Sequence, residues 1–119
     1  MELKEMILSE ANELKDQIVA WRRDLHRHPE LGLDTVWTHE YVWGELVKMG
    51  YEPRRCGKAG IVVLAGKGGG KVFLLRADMD ALPLEEDSGE DFRSENPGRM
   101  HACGHDMHTS MLLAAAKIL

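Results

Sequence analysis

Residues 99–119, R-M-H-A-C-G-H-D-M-H-T-S-M-L-L-A-A-A-K-I-L, join a loop rich in metal-binding residue types to a strong helix-forming segment. The loop contains three histidines, one cysteine and one aspartate, namely His101, His105, His108, Cys103 and Asp106. Imidazole and thiolate are the donors that zinc and neighbouring divalent metals prefer. Only Gly104 separates Cys103 from His105, and glycine permits the tight turn that brings two ligands together. The stretch therefore predicts a metal-type loop followed by a helix.

The start of that helix follows from the residues after the glycine. Asp106 and Thr109 are residue types that cap helices, so either is predicted to cap this one. The amides of the first helical turn would also favour anionic groups nearby.

Composition restricts the classes of protein to consider. The chain has 119 residues, enough for one small domain, and its 15 basic against 20 acidic side chains give a net charge of −5. This charge and the scattered basic residues argue against a nucleic-acid surface. The charged start argues against a secretory signal, and no apolar run approaches the length of a membrane span. Two cysteines make no disulfide framework, which favours the cytoplasm.

Two helices are predicted in the first half of the chain. Residues 3–28 carry apolar side chains at steps of three and four, which is typical of a long amphipathic helix, and Pro29 ends it. Residues 35–49 repeat this pattern, and Gly50 is a good C-terminal stop. The buried stripe of the second helix is predicted to be Val36, Tyr41, Val42 or Trp43, Leu46 and Val47.

Three short strands are predicted next, at residues 51–55, 60–65 and 71–77. The glycine-rich residues 66–71, G-K-G-G-G-K, are interpreted as a hairpin turn between the last two. A phosphate-binding loop would need Ser or Thr after its Gly-Lys and a helix after that, and this sequence has neither. The predicted fold class is α/β: two N-terminal helices, three strands of a mixed sheet, and a final helix.

The sequence stops at Leu119, within an apolar helical pattern. An α/β protein normally returns from such a helix to another strand. The pattern thus predicts that residues 1–119 are the front part of a larger, incomplete domain, with apolar surface left uncovered.

Two further groups of polar residues require interpretation. Asp78 and Asp80 end the predicted third strand, where functional groups of α/β proteins collect, although aspartate is also common in turns. His26, His28 and Glu30 lie around a helix end; a structural role in helix capping or local hydrogen bonds is favoured over metal binding. Cys56 is interpreted as an ordinary loop thiol.

Three motifs, taken together, carry a specific resemblance. They are R-D-L-H-R-H-P-E-L-G at residues 23–32, R-A-D-M-D-A-L-P at 76–83 and M-H-A-C-G-H-D-M-H at 100–108. In this order and spacing the chain resembles the N-terminal part of the aminoacylase and carboxypeptidase superfamily of dinuclear metallopeptidases. The subfamily it is most similar to contains hippurate hydrolase, N-acyl-L-amino-acid amidohydrolases and the plant indole-acetyl-amino-acid hydrolases.

The resemblance implies a catalytic domain with two divalent metal ions (Zn, Mn, Co or Ni) that hydrolyses small-molecule N-acyl amino acids. Cys103 and His105 match the family's metal ligands, and Asp80 matches an aspartate that supports the catalytic centre. Asp78, Asp106 and His108 belong to the motifs, where they would support ligands rather than bind metal. The family's general-base glutamate and its lid or dimerisation domain have no counterpart in this sequence; Glu85 and Glu86 form a pair at a different position.

Three hypotheses remain open. In the first, the parent protein is a metal-dependent amidohydrolase and this chain alone is inactive. In the second, the chain is a non-catalytic metal- or partner-binding module that a second copy completes as a homo-oligomer. In the third, it is a small active hydrolase that uses His26, His28 or Glu85 as substitute groups.

Overall fold

A computed structural model describes residues 2–119. Four helices and one two-stranded sheet form a small α/β unit, so the predicted fold class is confirmed, although three helices and three strands were predicted. In chain order the elements are α1 (Leu3–Glu13), α2 (Lys15–Arg27), α3 (Val36–Lys48), β1 (Arg54–Cys56), β2 (Gly60–Val62) and α4 (His105–Ile118). Within this range no helix is long and apolar enough to cross a membrane.

The predicted N-terminal helix is divided at Leu14, where the backbone leaves the helical conformation (φ −87°, ψ 2°). α1 has no buried residue, and Leu3 remains 70% exposed. α2, in contrast, buries Trp21, Leu25 and His26. The single helix over residues 3–28 is therefore wrong in this detail: the helix divides at Leu14, and only its second part contributes buried residues.

The second predicted helix is confirmed as α3, but Val36 and Val47 of its predicted buried stripe are 68% and 51% exposed, because they lie on the face that turns away from the core. The N-terminus of α3 is held by Glu30 from the preceding loop. The Glu30 carboxylate accepts hydrogen bonds from the backbone N–H groups of Trp37 and Thr38 at 3.0 and 2.7 Å, and from the Thr38 hydroxyl at 2.7 Å. These bonds satisfy amides that the first helical turn leaves free. Glu30 thus has the structural role that the sequence favoured.

The sheet is an antiparallel hairpin in which Arg54 faces Val62 and Cys56 faces Gly60. A β-carbon at Gly60 would lie 2.4 Å from the Cys56 carbonyl oxygen, so this position requires glycine. The first two predicted strands are confirmed with shorter bounds. Cys56, predicted in a loop, is instead the last residue of β1.

The third predicted strand, residues 71–77, is not formed among residues 2–119. Its side chains lie in solvent: Val72, Phe73 and Leu74 are 92%, 81% and 86% exposed. A strand exists only by pairing with a neighbour, and the described chain supplies none at this position. For the same reason residues 66–71 do not form the predicted hairpin turn.

The core lies between α2, α3 and α4. It contains one pair of buried residues from each helix: Trp21 and Leu25, Val42 and Leu46, Leu113 and Ala114. Burying a large apolar side chain contributes about 1.5–3 kcal/mol, so these six residues fix how the helices pack. This packing sets the N-terminus of α4 beside the end of α2, where the polar motifs meet.

Candidate functional site

Residues 78–82 run beside the first turns of α4, which brings two of the sequence motifs together. The Thr109 hydroxyl donates to the Asp78 carbonyl at 2.9 Å. The Ala81 N–H donates to the Glu30 carbonyl at 2.7 Å, and Leu82 and Met100 exchange two backbone hydrogen bonds of 3.0 Å. These contacts place Asp78 and Asp80 next to the metal-type loop.

Gly104 begins α4 with a left-handed backbone (φ 90°), which is the turn expected between Cys103 and His105. No side chain caps this helix, so the predicted cap by Asp106 or Thr109 is wrong. Asp106 accepts instead from the adjacent Met107 N–H at 3.0 Å, and Thr109 is directed to Asp78.

His105 is oriented by Asp80. Its Nδ1 lies 2.9 Å from the Asp80 carbonyl oxygen and 3.1 Å from the Asp80 Oδ1. Both are acceptors, so Nδ1 carries a hydrogen and donates it to Asp80. Nε2 lies 3.7 Å from Asp78 Oδ2. A histidine held in this way through one nitrogen is the arrangement found in metal sites, where the other nitrogen binds the ion.

Cys103 lies on the same side as His105, with its Sγ 3.9 Å from the Asp80 carbonyl oxygen. Its thiol is free and exposed. A thiol and an imidazole nitrogen therefore converge at Asp80, and these donors fit zinc and its neighbours in type. In number they fall short, because no three His, Cys, Asp or Glu side chains of residues 2–119 surround one point as a metal site. His108 is exposed, with its ring centroid 5.7 Å from that of His105.

Asp106 contacts α2. Its carboxylate is 1% exposed and accepts from Arg22 Nε at 2.9 Å and from His26 Nδ1 at 2.8 Å. The resemblance implies that Asp106 supports the ligands rather than binding metal. The structure places its carboxylate in contact with Arg22 and His26, so its influence on His105 passes through the helix that both residues share.

His26 also contacts Glu86, which the sequence analysis missed. The His26 Nε2 lies 3.0 and 3.1 Å from the two Glu86 oxygens, and both side chains are 3% exposed. The Ser94 N–H donates to Glu86 at 2.9 Å. Because 60 residues separate His26 from Glu86, no local sequence pattern could reveal this contact. The structural role favoured for His26 is confirmed, but its hydrogen bonds are long-range rather than local.

His28 has the local role that was predicted. Its Nδ1 bonds the Asp24 carbonyl at 2.8 Å at the end of α2, and its ring stacks on Trp37 with centroids 3.8 Å apart. These contacts join the end of α2 to the start of α3.

His101 lies near His26 and has no hydrogen-bond partner at either ring nitrogen within residues 2–119. It is 4% exposed, and its ring centroid is 6.5 Å from that of His26. Burial lowers the pKa of His101 from 6.5 to about 4, so the ring is neutral at neutral pH. A neutral imidazole presents one donor and one acceptor.

We expect acid to destabilise the protein partly through Glu86. Burial raises the pKa of this carboxyl, but hydrogen bonds from Ser88, Ser94 and His26 lower it further, leaving it below the ordinary 4.5. As pH falls, the unfolded chain takes up the proton first, so stability present above pH 4.5 is lost below it. Urea unfolding should show a shallower loss between about pH 5 and about pH 3 in Glu86→Gln than in the wild type. Parallel curves would contradict this assignment.

Comparison with known proteins agrees with the motifs. Residues 74–119 match the model of peptidase family M20/M25/M40. An N-acyl-L-amino acid amidohydrolase of Geobacillus stearothermophilus is 47% identical over 97% of this chain, which spans 32% of that protein. An IAA-amino acid hydrolase of Arabidopsis thaliana, ILR1-like 4, is 44% identical over 98% of this chain, and the alignment covers 27% of that protein.

A solved structure confirms the fold. The Bacillus subtilis YXEP protein, described as a dinuclear metal binding peptidase from the M20 family, superposes with a TM-score of 0.85 at 36% identity. The alignment covers 91% of this chain and 31% of that one. The sequence resemblance is thereby confirmed: this chain is similar to the M20/M25/M40 peptidases and spans about a third of the length of the relatives it matches.

Proposed function

We propose that this chain contributes part of the metal centre of a hydrolase that cleaves the amide bond of N-acyl amino acids. The observation that carries the proposal is the convergence of Cys103 and His105 on Asp80, with His105 Nδ1 engaged and Nε2 available. The relatives support the substrate class, because their names describe hydrolases of N-acyl and IAA amino acids. The description of the Bacillus structure supports a dinuclear metal centre.

In this proposal Cys103 binds a divalent ion as a thiolate and His105 binds through Nε2. Bound divalent ions would lower the pKa of a water molecule and polarise the amide carbonyl. Asp80 keeps the His105 hydrogen on Nδ1, and Asp78 lies near Nε2, where its charge favours a cation. Thiolate binding releases a proton, so metal binding should weaken as pH falls.

The proposal assigns no general base to this chain. A base must reach the attacking water through a carboxylate or imidazole close to the metal. The carboxylates nearest His105 are those of Asp78 and Asp80. Both lie at its ring nitrogens and are assigned to orient that ring, so neither is assigned as the base. We therefore propose that residues 1–119 bind metal but do not hydrolyse substrate by themselves.

A titration with metal tests the ligand assignment. Purified chain would be mixed with Co²⁺, and the thiolate-to-cobalt absorption band recorded for the wild type, Cys103→Ala and Cys56→Ala. Both cysteines are free and exposed, so Cys56→Ala is a matched control. The band should appear in the wild type and in Cys56→Ala and be lost in Cys103→Ala. Absence of the band from the wild type, or its survival in Cys103→Ala, would contradict the assignment.

Hydrolysis of N-acetyl- and N-benzoyl-amino acids, assayed with Zn²⁺, Mn²⁺, Co²⁺ or Ni²⁺, tests the second half of the proposal. We expect no turnover above that of Cys103→Ala. Metal-dependent turnover that the substitution abolishes would show that this chain provides its own general base.

A further inference from the structure

The strongest unexplained feature is a polar cluster in which His26, Glu86 and Asp106 are buried and Arg22 is 32% exposed. His26 stands at its centre, with Asp106 at 2.8 Å from Nδ1 and Glu86 at 3.0 Å from Nε2. The side chains of His26, Glu86 and Asp106 are each at most 3% exposed. One histidine thus joins α2, α4 and the loop that contains Glu86.

This cluster is directly adjacent to the proposed ligands along the chain. Asp106 follows His105 in the first turn of α4, and successive helical side chains diverge by about 100°. Asp106 is directed to Arg22 and His26, while His105 is directed to Asp80. Fixing the direction of one side chain therefore fixes the rotation of the turn that carries the other.

Stability alone does not account for such a cluster. Buried ion pairs add little net stability over well-packed apolar side chains, because each charge loses its hydration. Hydrogen bonds are directional, however, so the cluster holds the turn at one angle in a way that apolar contacts do not. The angle matters because the His105 Nδ1 reaches two oxygens of Asp80 at 2.9 and 3.1 Å.

We propose that His26 is a positioning residue for the Cys103–His105 pair. By bonding Asp106 and Glu86 together, it sets the rotation of the first turn of α4 and so keeps the His105 hydrogen on Nδ1, facing Asp80. The inference rests on the proposed function, because positioning His105 serves metal binding. The orientation of the His105 ring can nevertheless be measured without metal.

The test is a nitrogen-15 NMR measurement of the His105 ring in the metal-free full chain. In the wild type the chemical shifts should report the Nδ1–H form. In His26→Gln we expect a mixture of both tautomers, because the turn is no longer held at one angle. His39→Gln is the matched control: His39 is also a buried helical histidine, 6% exposed, but it stacks on Trp43 in α3. It should leave the His105 signals unchanged.

Glu86→Gln provides a second variant in case His26→Gln unfolds. It preserves shape and His26 while removing one charge, and it should shift the His105 tautomers in the same direction by a smaller amount. Wild-type His105 without a preferred Nδ1–H form, or folded variants with wild-type His105 signals, would overturn the proposal.

Metal binding separates this inference from the proposed function. Loss of a hydrogen-bonded group that orients a ligand typically weakens metal binding by about 10–100-fold. His26 bonds Asp106 rather than a ligand, so we expect a smaller Co²⁺ affinity loss, below about 10-fold, for His26→Gln and none for His39→Gln. If the wild type bound no Co²⁺, the proposed function would fail, while the NMR result would still decide the positioning role of His26.

Discussion

Replacing Asp106 with alanine should lower the free energy of unfolding by about 3–5 kcal/mol, because removing one partner of a buried ion pair leaves the others uncompensated. Asp106 is 1% exposed and accepts from Arg22, His26 and the Met107 N–H. Alanine would leave the cationic Arg22 and the buried His26 without this acceptor. The small side chain would also leave a space at the contact between α2 and α4.

Urea unfolding followed by circular dichroism measures the change. Asp106→Asn keeps the volume and one acceptor oxygen, so it should cost less than Asp106→Ala. Asp91→Ala removes an exposed aspartate and should change the unfolding free energy by less than about 0.5 kcal/mol. A loss below about 1 kcal/mol for Asp106→Ala would show that water or rearranged side chains replace the carboxylate.

The helices were predictable because their signals are local. Pro29 and Gly50 fix the C-terminal ends of α2 and α3 within a few residues, and the three- and four-residue apolar spacing identifies both segments as helical. The break at Leu14 was not predictable, since the apolar pattern runs through it. The two halves differ in burial, and burial depends on α4, which lies far along the chain.

The third strand shows the opposite limit. Residues 71–77 have the composition of a buried strand, and Val72 and Leu74 are nevertheless 92% and 86% exposed. Amino-acid composition indicates whether a segment favours a buried β-strand. Whether the strand forms depends on a neighbouring strand with which it can pair. No neighbour for this segment exists among the described residues, so the local signal and the described structure differ.

The candidate site divides in the same way. The convergence of Cys103 and His105 on Asp80 agrees with the motifs, since two of the three residues share one loop. The contact of His26 with Glu86 and Asp106 spans 60 and 80 residues and involves types common on protein surfaces. Only the fold reveals that these side chains are buried together.

Replacing Trp21 with alanine should also lower the free energy of unfolding by about 3–5 kcal/mol, the usual range for removing a large aromatic side chain from a core. Trp21 is 2% exposed and belongs to the cluster that joins α2 to α3 and α4. Without the indole, the three helices lose the largest side chain of their shared core. Urea unfolding at neutral pH, with the midpoint and the slope fitted separately, measures this loss.

A conservative variant separates packing from polarity at the same position. The Trp21 Nε1 is buried and has no hydrogen-bond partner in the described part of the chain, which costs about 1–3 kcal/mol. Trp21→Phe keeps an aromatic ring and removes this N–H, so it should be much less destabilising than Trp21→Ala. Val19→Ala, at a 38% exposed position of α2, controls for changes in the helix itself. Equal losses for Trp21→Phe and Trp21→Ala would mean that the indole N–H is bound by water and that this bond, rather than ring packing, dominates the contribution of Trp21.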